Sequence, residues 1–337
     1  MPGAARSLLR SDGAGVEVRV GDALTIGTAF ALCGSIRGHL ADSPRALVLN
    51  LEQVKAVDVV GLAALLQITR LARQLDVPLT IIPSVAIHRG LISAELVDEV
   101  PVVSNPGRVP LSAVGARDFD PPDALTPFLA ATPRVGLRQP AWEELSIFGE
   151  WAYDSLLSQM VGSELLYRCR HLGPYHPDFV ASIFSDPTSL TLFVQPVPSP
   201  ASPVGFVRLY DIRLVEQLGF LETAIADPHS LRRGWGVEAS RLLLAFAMDV
   251  LAIRRVEAKV FAYNPLSINA LKRNGFQQEG LLRQAKTYRG RRWDILVFSI
   301  LEDELHAQRE LEQFPYMGFW ETGSPSPSSC SRRSGAA

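Results

Sequence analysis

The chain has 337 residues, a length typical of two domains. Hydrophobic residues make up 47% of it and charged residues 20%, so each domain can bury a core of its own. The formal net charge of −2 excludes a general attraction to DNA or to an acidic membrane, and an anion site must therefore be local. No apolar run reaches the roughly 18 residues that a membrane span needs.

The cysteines and the first residues bear on compartment. Cys33, Cys169 and Cys330 are odd in number and widely spaced, which favours neither a disulfide framework nor a metal site. Residues 1–14 are expected to be disordered, and they lack the apolar core of a signal peptide. A cytoplasmic protein is the simplest interpretation.

Residues 15–103 have the pattern of a small α/β domain. Val16, Val18 and Val20 alternate with polar residues as in a strand, and Asp58 can cap a helix. Strands are predicted over 16–20, 23–26, 46–51 and 78–83, and helices over 30–40, from Asp58 to Leu75, and over 87–97.

The periodicity is lost between the two domains. Prolines recur over residues 104–140, which predicts an extended linker. A connecting helix is predicted over 141–163, with an apolar stripe that suits packing against a neighbouring domain.

A second domain is predicted over residues 164–305. Strands are expected at 165–170, 190–195, 204–210, 220–226 and 255–262, helices at 178–184, 236–251 and 266–274, and a closing hairpin at 277–301. Residues 306–337 form a C-terminal extension with a disordered, Ser/Pro-rich tail.

The most informative segment is the turn before the helix at 236–251. Gly234 and Gly236 remove side chains where a backbone can approach a ligand. The free N–H groups of a first helical turn and the helix dipole favour an anion, and Arg232 and Arg233 add positive charge. The combination suits a pyrophosphate, although a tight strand-to-helix turn with exposed arginines is the alternative.

The segment Leu-Arg-Arg-Gly-Trp-Gly at 231–236 resembles the acetyl-CoA-binding signature of the GNAT superfamily of N-acetyltransferases. Residues 254–276, which end in Gly275 and Phe276, resemble the family's next strand and helix, and 279–299 resemble the closing hairpin of its Rim-type branch. The resemblance implies a mixed-sheet domain that transfers an acetyl group from acetyl-CoA to a primary amine, either a protein amino terminus or a small amine. Leu231 departs from the signature, which usually begins with Arg or Gln.

The resemblance also implies site residues. In this family the strand before the glycine turn holds the pantetheine arm along its free backbone. The implied coenzyme contacts are Ala224, Ile225, Ala226, Leu231, Arg232, Arg233, Gly234, Trp235, Gly236, Val237 and Asn264.

The resemblance also indicates catalytic groups. Glu222 lies where the family often has a carboxylate and is the first choice of general base, with a surface ion pair as its alternative and His229 as a second candidate base. Ser267 is the first choice of general acid because Leu271 occupies the position where many relatives have Tyr, and Tyr288 is a second candidate. Asn264 and Ser267 also fit simple helix capping.

The first domain resembles a STAS domain, the fold of bacterial anti-sigma-factor antagonists. The resemblance rests on the element order and on Asp58-Val59-Val60-Gly61 followed by Leu62. Members regulated by phosphorylation have serines between the Asp and the Gly, so that switch is absent at this site. The domain is expected to bind a partner protein, to sense a ligand or to act as a scaffold.

The leading hypothesis is an acetyl-CoA-dependent N-acetyltransferase fused to a STAS-like regulatory or partner-binding module. A non-catalytic regulator that senses acetyl-CoA and acts through STAS-mediated protein binding is the alternative, and a scaffold without a ligand is a third interpretation. Turnover and coenzyme binding separate the three.

Overall fold

The computed structural model describes residues 15–41, 44–103, 114–119, 128–197, 202–231, 233–312 and 317–318. These residues fall into two compact units, with limits at residues 1–123 and 124–337. The predicted disordered segments 1–14 and 323–337 lie outside the described residues.

The first unit is built on a parallel sheet with the strand order β5-β3-β1-β6. Its strands are β1 (Gly15–Val20), β2 (Ala23–Leu24), β3 (Leu47–Leu51), β4 (Ala56–Val57), β5 (Leu79–Pro83) and β6 (Val114–Phe119), and its helices are α1 (Ile26–Ala41), α2 (Val59–Gln74) and α3 (Val85–Ser93). The short strands β2 and β4 pair with each other in parallel. Val18 and Val20 alternate into the core, as predicted from the sequence.

The Asp58-to-Gly61 segment ties the two long helices of this unit together. Asp58 Oδ1 accepts a hydrogen bond from Gly61 N at 2.9 Å, and Oδ2 accepts one from Ile26 N at 2.8 Å. A Cβ at Gly61 would lie 2.0 Å from Leu24 O, so only glycine allows this approach. Val59 and Val60 are buried, which gives the motif a structural role.

The second unit is built on a nine-stranded mixed sheet with the order β13-β14-β12-β11-β10-β9-β8-β7-β15. Its strands are β7 (Ala130–Ala131), β8 (Val135–Arg138), β9 (Leu190–Pro196), β10 (Gly205–Arg213), β11 (Leu218–Ile225), β12 (Arg255–Phe261), β13 (Gln277–Tyr288), β14 (Arg291–Leu301) and β15 (Met317–Gly318). Its helices are α4 (Ser146–Ala152), α5 (Ser155–Met160), α6 (Glu164–Leu172), α7 (Pro177–Phe184), α8 (Trp235–Asp249), α9 (Pro265–Arg273) and α10 (Glu302–Glu312). Single 3-10 turns occupy Trp142–Glu144 and Pro228–Ser230.

The two faces of this sheet carry different layers. Phe193, Phe206 and Ala224 are cross-strand neighbours on one face and pack into a core with Phe148 and Phe179 from α4 and α7. The opposite face packs against α8, where Thr223 Oγ1 lies 2.8 Å from Ser240 Oγ. The middle strands are therefore covered on both sides.

Two predicted elements around residue 160 are wrong. The strand expected at 165–170 is the helix α6, because Ser163 caps it and Leu165, Leu166 and Cys169 are buried at helical spacing. The continuous helix expected over 141–163 is interrupted, because Asp154 accepts a hydrogen bond from Leu157 N at 2.8 Å and starts α5 as a separate helix.

The predicted linker over 104–140 also needs correction. Residues 114–119 form β6 and pair with β1, and β7 and β8 join the second sheet. Val135 and Leu137 alternate into the core, so β8 has the pattern of a strand despite the surrounding prolines. Residues 104–113 and 120–127 of the predicted linker lie outside the described residues.

The chain after the predicted limit at residue 305 keeps regular structure. The helix α10 runs to Glu312, and Arg309 pairs with Asp249 of α8 at 3.0 Å. β15 pairs with β7 at the far edge of the sheet. Both ends of the second unit thus extend beyond residues 164–305.

Candidate active site

Two neighbouring strands of the second sheet separate along their length. β11 and β12 run in parallel and pair only at their beginnings, from Leu218 with Arg255 to Phe220 with Glu257. β11 continues to Ile225, and its other edge pairs with β10 from Phe220 to Ile225 and again at Leu218. In the second half of β11, the backbone groups on this edge therefore do not pair with β12. An extended ligand can add to such an edge.

The structure places Ala224 and Ile225 on this open half of β11. The Ala224 side chain is buried in the core, so only its backbone is available to a ligand. Ala226 follows the strand, and its N–H donates to Val204 O at 2.8 Å. Because that N–H is already bonded, Ala226 has no amide to offer a coenzyme.

The helix α8 starts at a glycine. Its N-cap, Gly234, has a φ of 84° and makes no side-chain cap hydrogen bond. A Cβ at Gly234 would meet no atom within 4 Å, so the position faces open space. N–H groups of the first turn point outward at such a helix end, and the dipole places positive potential there.

The second glycine has a different role. A Cβ at Gly236 would lie 3.3 Å from Ile225 Cγ1, so glycine lets the first turn of α8 approach β11 closely. Val237 is buried in the next position and anchors the turn. The two residues thus bring the helix start against the open strand edge, which puts the two predicted halves of the coenzyme site side by side.

The remaining residues of the signature lie around the turn. Arg233 is exposed, its Nε donates to His229 O at 2.9 Å, and its guanidinium lies 5.2 Å from the centre of the Trp235 ring. Leu231 and Trp235 are half-buried, and Arg232 lies outside the described residues. The structure therefore gathers the described part of the predicted pyrophosphate site at one helix end.

A clamp at the start of α8 is not predicted from the sequence. Arg134 Nη1 lies 2.7 Å from Glu238 Oε1, and Arg134 Nη2 donates to the backbone oxygen of Arg233. Thr132 Oγ1 donates to Glu238 Oε2 at 2.9 Å. Both clamp residues come from the turn between β7 and β8, which lies within the predicted linker. The alternation of Val135 and Leu137 was the signal for that strand.

Glu222 is held in a mostly buried position on β11. Its cross-strand partner is Arg208, whose Nη1 lies 3.9 Å from Glu222 Oε2. Glu222 Oε1 and Arg208 Nε are buried and have no hydrogen-bond partner among the described residues. Burial raises the pKa of Glu222, while a hydrogen bond from Ser163 and the charge of Arg208 oppose the rise.

Asn264 and Ser267 form one hydrogen-bonded unit at the start of α9. Asn264 Oδ1 accepts from Ser267 N at 3.2 Å, and Asn264 Nδ2 donates to Met160 O at 3.0 Å and to Ser267 Oγ at 2.9 Å. The Asn264 amide is therefore bonded within the protein, as in the capping interpretation. Ser267 Oγ accepts a hydrogen bond and keeps its own proton for donation.

Aromatic rings line the hairpin side of the strand separation. Tyr263 stacks on Tyr288 with ring centres 4.3 Å apart and meets Trp293 edge-on at 5.4 Å. Its hydroxyl donates to Gln159 O at 2.7 Å, which links this wall to α5. Tyr288, the second candidate acid, is thus packed within a ring cluster.

No three His, Cys, Asp or Glu side chains in the described ranges come together as a metal site. No helix in the same ranges is long and apolar enough to cross a membrane.

The open strand edge lies beside a helix start at a glycine, which is the arrangement that the resemblance to GNAT acetyltransferases predicts. Residues 134–277 match the family model described as "Acetyltransferase (GNAT) domain", and residues 7–105 match the model described as "STAS domain". The chain therefore carries a STAS domain followed by a GNAT acetyltransferase domain. The predicted α/β fold class, a STAS-like domain before a mixed-sheet GNAT domain, is confirmed.

Individual relatives match parts of the second unit. An alpha/beta-tubulin-N-acetyltransferase 9 of Mus musculus is 29% identical over 146 residues, which cover 40% of this chain and 61% of the relative. An uncharacterized N-acetyltransferase of Bacillus licheniformis is 39% identical over 72 residues, 21% of this chain and 40% of the relative. The matches thus span about half the length of these curated relatives.

One of the similar solved structures is an acetyltransferase with its coenzyme. The spermidine N-acetyltransferase from Vibrio cholerae, in complex with CoA and spermine, has a TM-score of 0.44 and 17% identity. The similarity covers 52% of this chain and 99% of that one.

Proposed function

We propose that the protein transfers an acetyl group from acetyl-CoA to a primary amine, either a protein amino terminus or a small amine. The observation that carries this proposal is the open edge of β11 beside the start of α8, where no side chain caps the helix. A pantetheine arm fits the open edge of β11, and a pyrophosphate fits the start of α8. The matched GNAT family is consistent with both.

The residues suit the coenzyme in detail. Gly234 leaves open space at the helix start, and Arg233 adds an exposed cation beside it. Arg134 pairs with Glu238, which removes the repulsion that an unpaired carboxylate in the first turns of α8 would exert on a phosphate. The backbone of Ala224 and Ile225 would hold the pantetheine amides as a neighbouring strand does.

The reaction joins a neutral amine to the thioester carbonyl carbon. A C–N bond forms while the carbonyl electron pair moves to oxygen, and a backbone N–H on the open edge of β11 stabilises that oxyanion by roughly 3 kcal/mol. The C–S bond then breaks, the amine nitrogen loses its proton to a base, and the coenzyme sulfur gains one. The products are an N-acetylated amine and free coenzyme A.

Glu222 is the proposed base. Its unpartnered Oε1 can accept a proton, and its raised pKa makes the carboxylate a stronger base than an exposed glutamate. Ser267 is the proposed acid, since its Oγ accepts from Asn264 and retains its hydrogen. The exposed His229 has its backbone N–H bonded to Asp227, and its side chain remains a second candidate base.

The alternative is a regulator that binds acetyl-CoA without turnover. It is favoured by Leu271, a buried apolar residue that has no proton to donate at the position where many relatives carry Tyr. The bonded amide of Asn264 points the same way, since it leaves fewer donors for the coenzyme.

The STAS domain is proposed as a regulatory or partner-binding module. Val85 and Ile92 on α3 are 69% and 55% exposed, which gives this unit apolar surface outside its core. Positions 59 and 60 of the motif hold buried valines instead of serines. The proposal therefore includes no phosphorylation switch at that motif. The cytoplasmic location and the membership of the Rim-type branch remain predictions from the sequence.

A thiol-release assay tests the proposed function. The full chain with acetyl-CoA is offered pooled amines and peptide amino termini, and free coenzyme A is measured. We expect release that depends on both an amine and Glu222, so that Glu222→Gln lowers it while coenzyme binding persists. Binding without release from any acceptor would instead identify the acetyl-CoA-sensing regulator.

A further inference from the structure

A cleft of about 440 Å³ opens between α5 and the β13–β14 hairpin. Its lining includes Ser155, Ser158, Gln159, Arg170, Lys286 and Thr287. Two of these side chains are cationic, the others carry hydroxyl or amide groups, and none is a carboxylate. The lining therefore carries positive charge, whereas the protein as a whole has a net charge of −2.

Backbone, hydroxyl and aromatic groups hold the two cations. Lys286 is half-buried, with Nζ 4.5 Å from the centre of the Phe261 ring. Arg170 Nε donates to Ala152 O, and its Nη2 donates to Ser158 Oγ, each at 2.6 Å. Neither forms an ion pair with a carboxylate in the described part of the chain.

The restricted positions of the Arg170 and Lys286 side chains favour the binding of an anion. A guanidinium that is already bonded to a backbone oxygen and a serine loses little freedom when an anion arrives. An ammonium over an aromatic ring is likewise partly ordered and partly desolvated. Both groups are therefore prepared for a negatively charged ligand.

Lys286, on the wall of the cleft, approaches the chain segment that leads to the proposed base. A Cβ at Gly162 would lie 2.8 Å from Phe261 Cζ and 3.9 Å from Lys286 Nζ, so residue 162 lies beside the lysine of the cleft. The adjacent residue, Ser163, lies close enough to Glu222 to lower the pKa of its carboxyl. Because consecutive Cα atoms are about 3.8 Å apart, a short segment of chain separates the cleft from the base.

We propose that this cleft receives a carboxylate of the acceptor, so that the preferred acceptor is an amino terminus followed by acidic residues. The inference rests on the proposed acetyl transfer and adds to it the acceptor class. A carboxylate between Arg170 and Lys286 makes charge-assisted hydrogen bonds, whereas a polyamine meets two like charges there. The hydroxyls of Ser155 and Thr287 supply further donors.

Binding of two matched peptides tests this inference independently of turnover. The peptides share one sequence, in which the residues after the amino terminus are Asp in one and Asn in the other. Their affinity for the full chain is measured by fluorescence anisotropy with coenzyme A present. We expect the Asp peptide to bind about tenfold more tightly at low salt, and the difference to shrink as ionic strength rises.

Lys286→Gln should remove most of that preference, and Lys286→Arg should keep it. Arg292→Gln is the matched control, because it removes the same charge from an exposed position of the same hairpin outside the cleft. Arg292→Gln should therefore retain the preference. Equal affinity for the two peptides, or a preference unchanged in Lys286→Gln, would overturn the inference.

The outcomes separate the two proposals. Acetylation of peptides without any acidic preference would reject the cleft and leave acetyl transfer standing. Acidic preference in binding without acetylation would support the cleft and reject the transferase. Spermidine as the better acceptor would also reject the proposed role of the cleft, since Arg170 and Lys286 repel a polycation.

Discussion

Glu222 and Arg208 face each other across two strands, and each keeps a buried atom without a partner. Because burial raises the pKa of Glu222, the acid limb of the activity profile should lie above the ordinary range of a glutamate. Glu222→Gln should lower kcat by roughly 100-fold to 10,000-fold and abolish that limb, with unchanged acetyl-CoA affinity. The measurement is kcat against pH for both forms.

Arg208 is a positioning residue in the same experiment. Its charge lowers the pKa of Glu222, so Arg208→Met should move the acid limb to higher pH, and Arg208→Lys should bring it back towards its original place. A purely structural role of Arg208 would reduce activity at every pH without moving the limb. An acid limb that persists in Glu222→Gln would assign it to another group.

Asp58 gives a residue-scale prediction for the STAS domain. Burial raises its pKa from 3.8 to about 6, although the amides of Gly61 and Ile26 oppose the rise. The folded state therefore holds the proton more tightly than the unfolded state. The contribution of Asp58 to stability is fully present below pH 3.8 and is lost as the pH rises through about 6.

Hydrogen exchange is the suitable measurement for Asp58, because Trp142, Trp151, Trp235, Trp293 and Trp320 all lie outside this domain. After correction for intrinsic exchange, the protection of α1 and α2 should fall from about pH 4 to about pH 7 in the wild type. Asp58→Asn should lose this pH dependence, since an amide does not titrate there. Identical slopes in both proteins would contradict the account.

Between elements, the clamp of Arg134 on α8 makes a prediction about the coenzyme. Arg134→Ala leaves Glu238 unpaired beside the proposed phosphate site and should weaken acetyl-CoA binding about tenfold. Arg134→Ala combined with Glu238→Gln should recover much of that loss, because the repelling charge is gone. Calorimetry on the wild type, both single variants and the double variant closes the cycle. Additive losses would show that Arg134 does not act through Glu238.

The sequence predicted the elements that carry their own local signal. Asp58, the alternation in β1 and the glycines before α8 are read directly from neighbouring residues. The strand prediction for α6 is wrong because its apolar residues are few and its cap, Ser163, lies just before the predicted start. β8 was missed because prolines on both sides masked a four-residue strand.

The site was predictable only as far as it is local. The glycine turn and the adjacent strand follow from one stretch of sequence, whereas the clamp joins Thr132 to Glu238, which are 106 positions apart. The cleft likewise joins Arg170 to Lys286, and the pair of Glu222 with Arg208 depends on strand register. Such contacts are set by tertiary packing, which a single sequence does not reveal.

At the scale of the whole molecule, the chain combines a STAS domain with a GNAT acetyltransferase domain. The claim on which the rest depends is that the helix start at Gly234 binds the diphosphate of acetyl-CoA. Gly234→Glu tests it, because the new side chain projects a negative charge into the proposed site. Gly290→Glu is the matched control, since Gly290 also has a positive φ, of 72°, and open space around it.

Calorimetric titration of acetyl-CoA into the full-length wild type and these two variants is therefore the most direct measurement. The account predicts stoichiometric binding to the wild type and to Gly290→Glu, and no detectable heat of binding with Gly234→Glu. Undiminished affinity in Gly234→Glu, or a wild type that binds no acetyl-CoA, would contradict it.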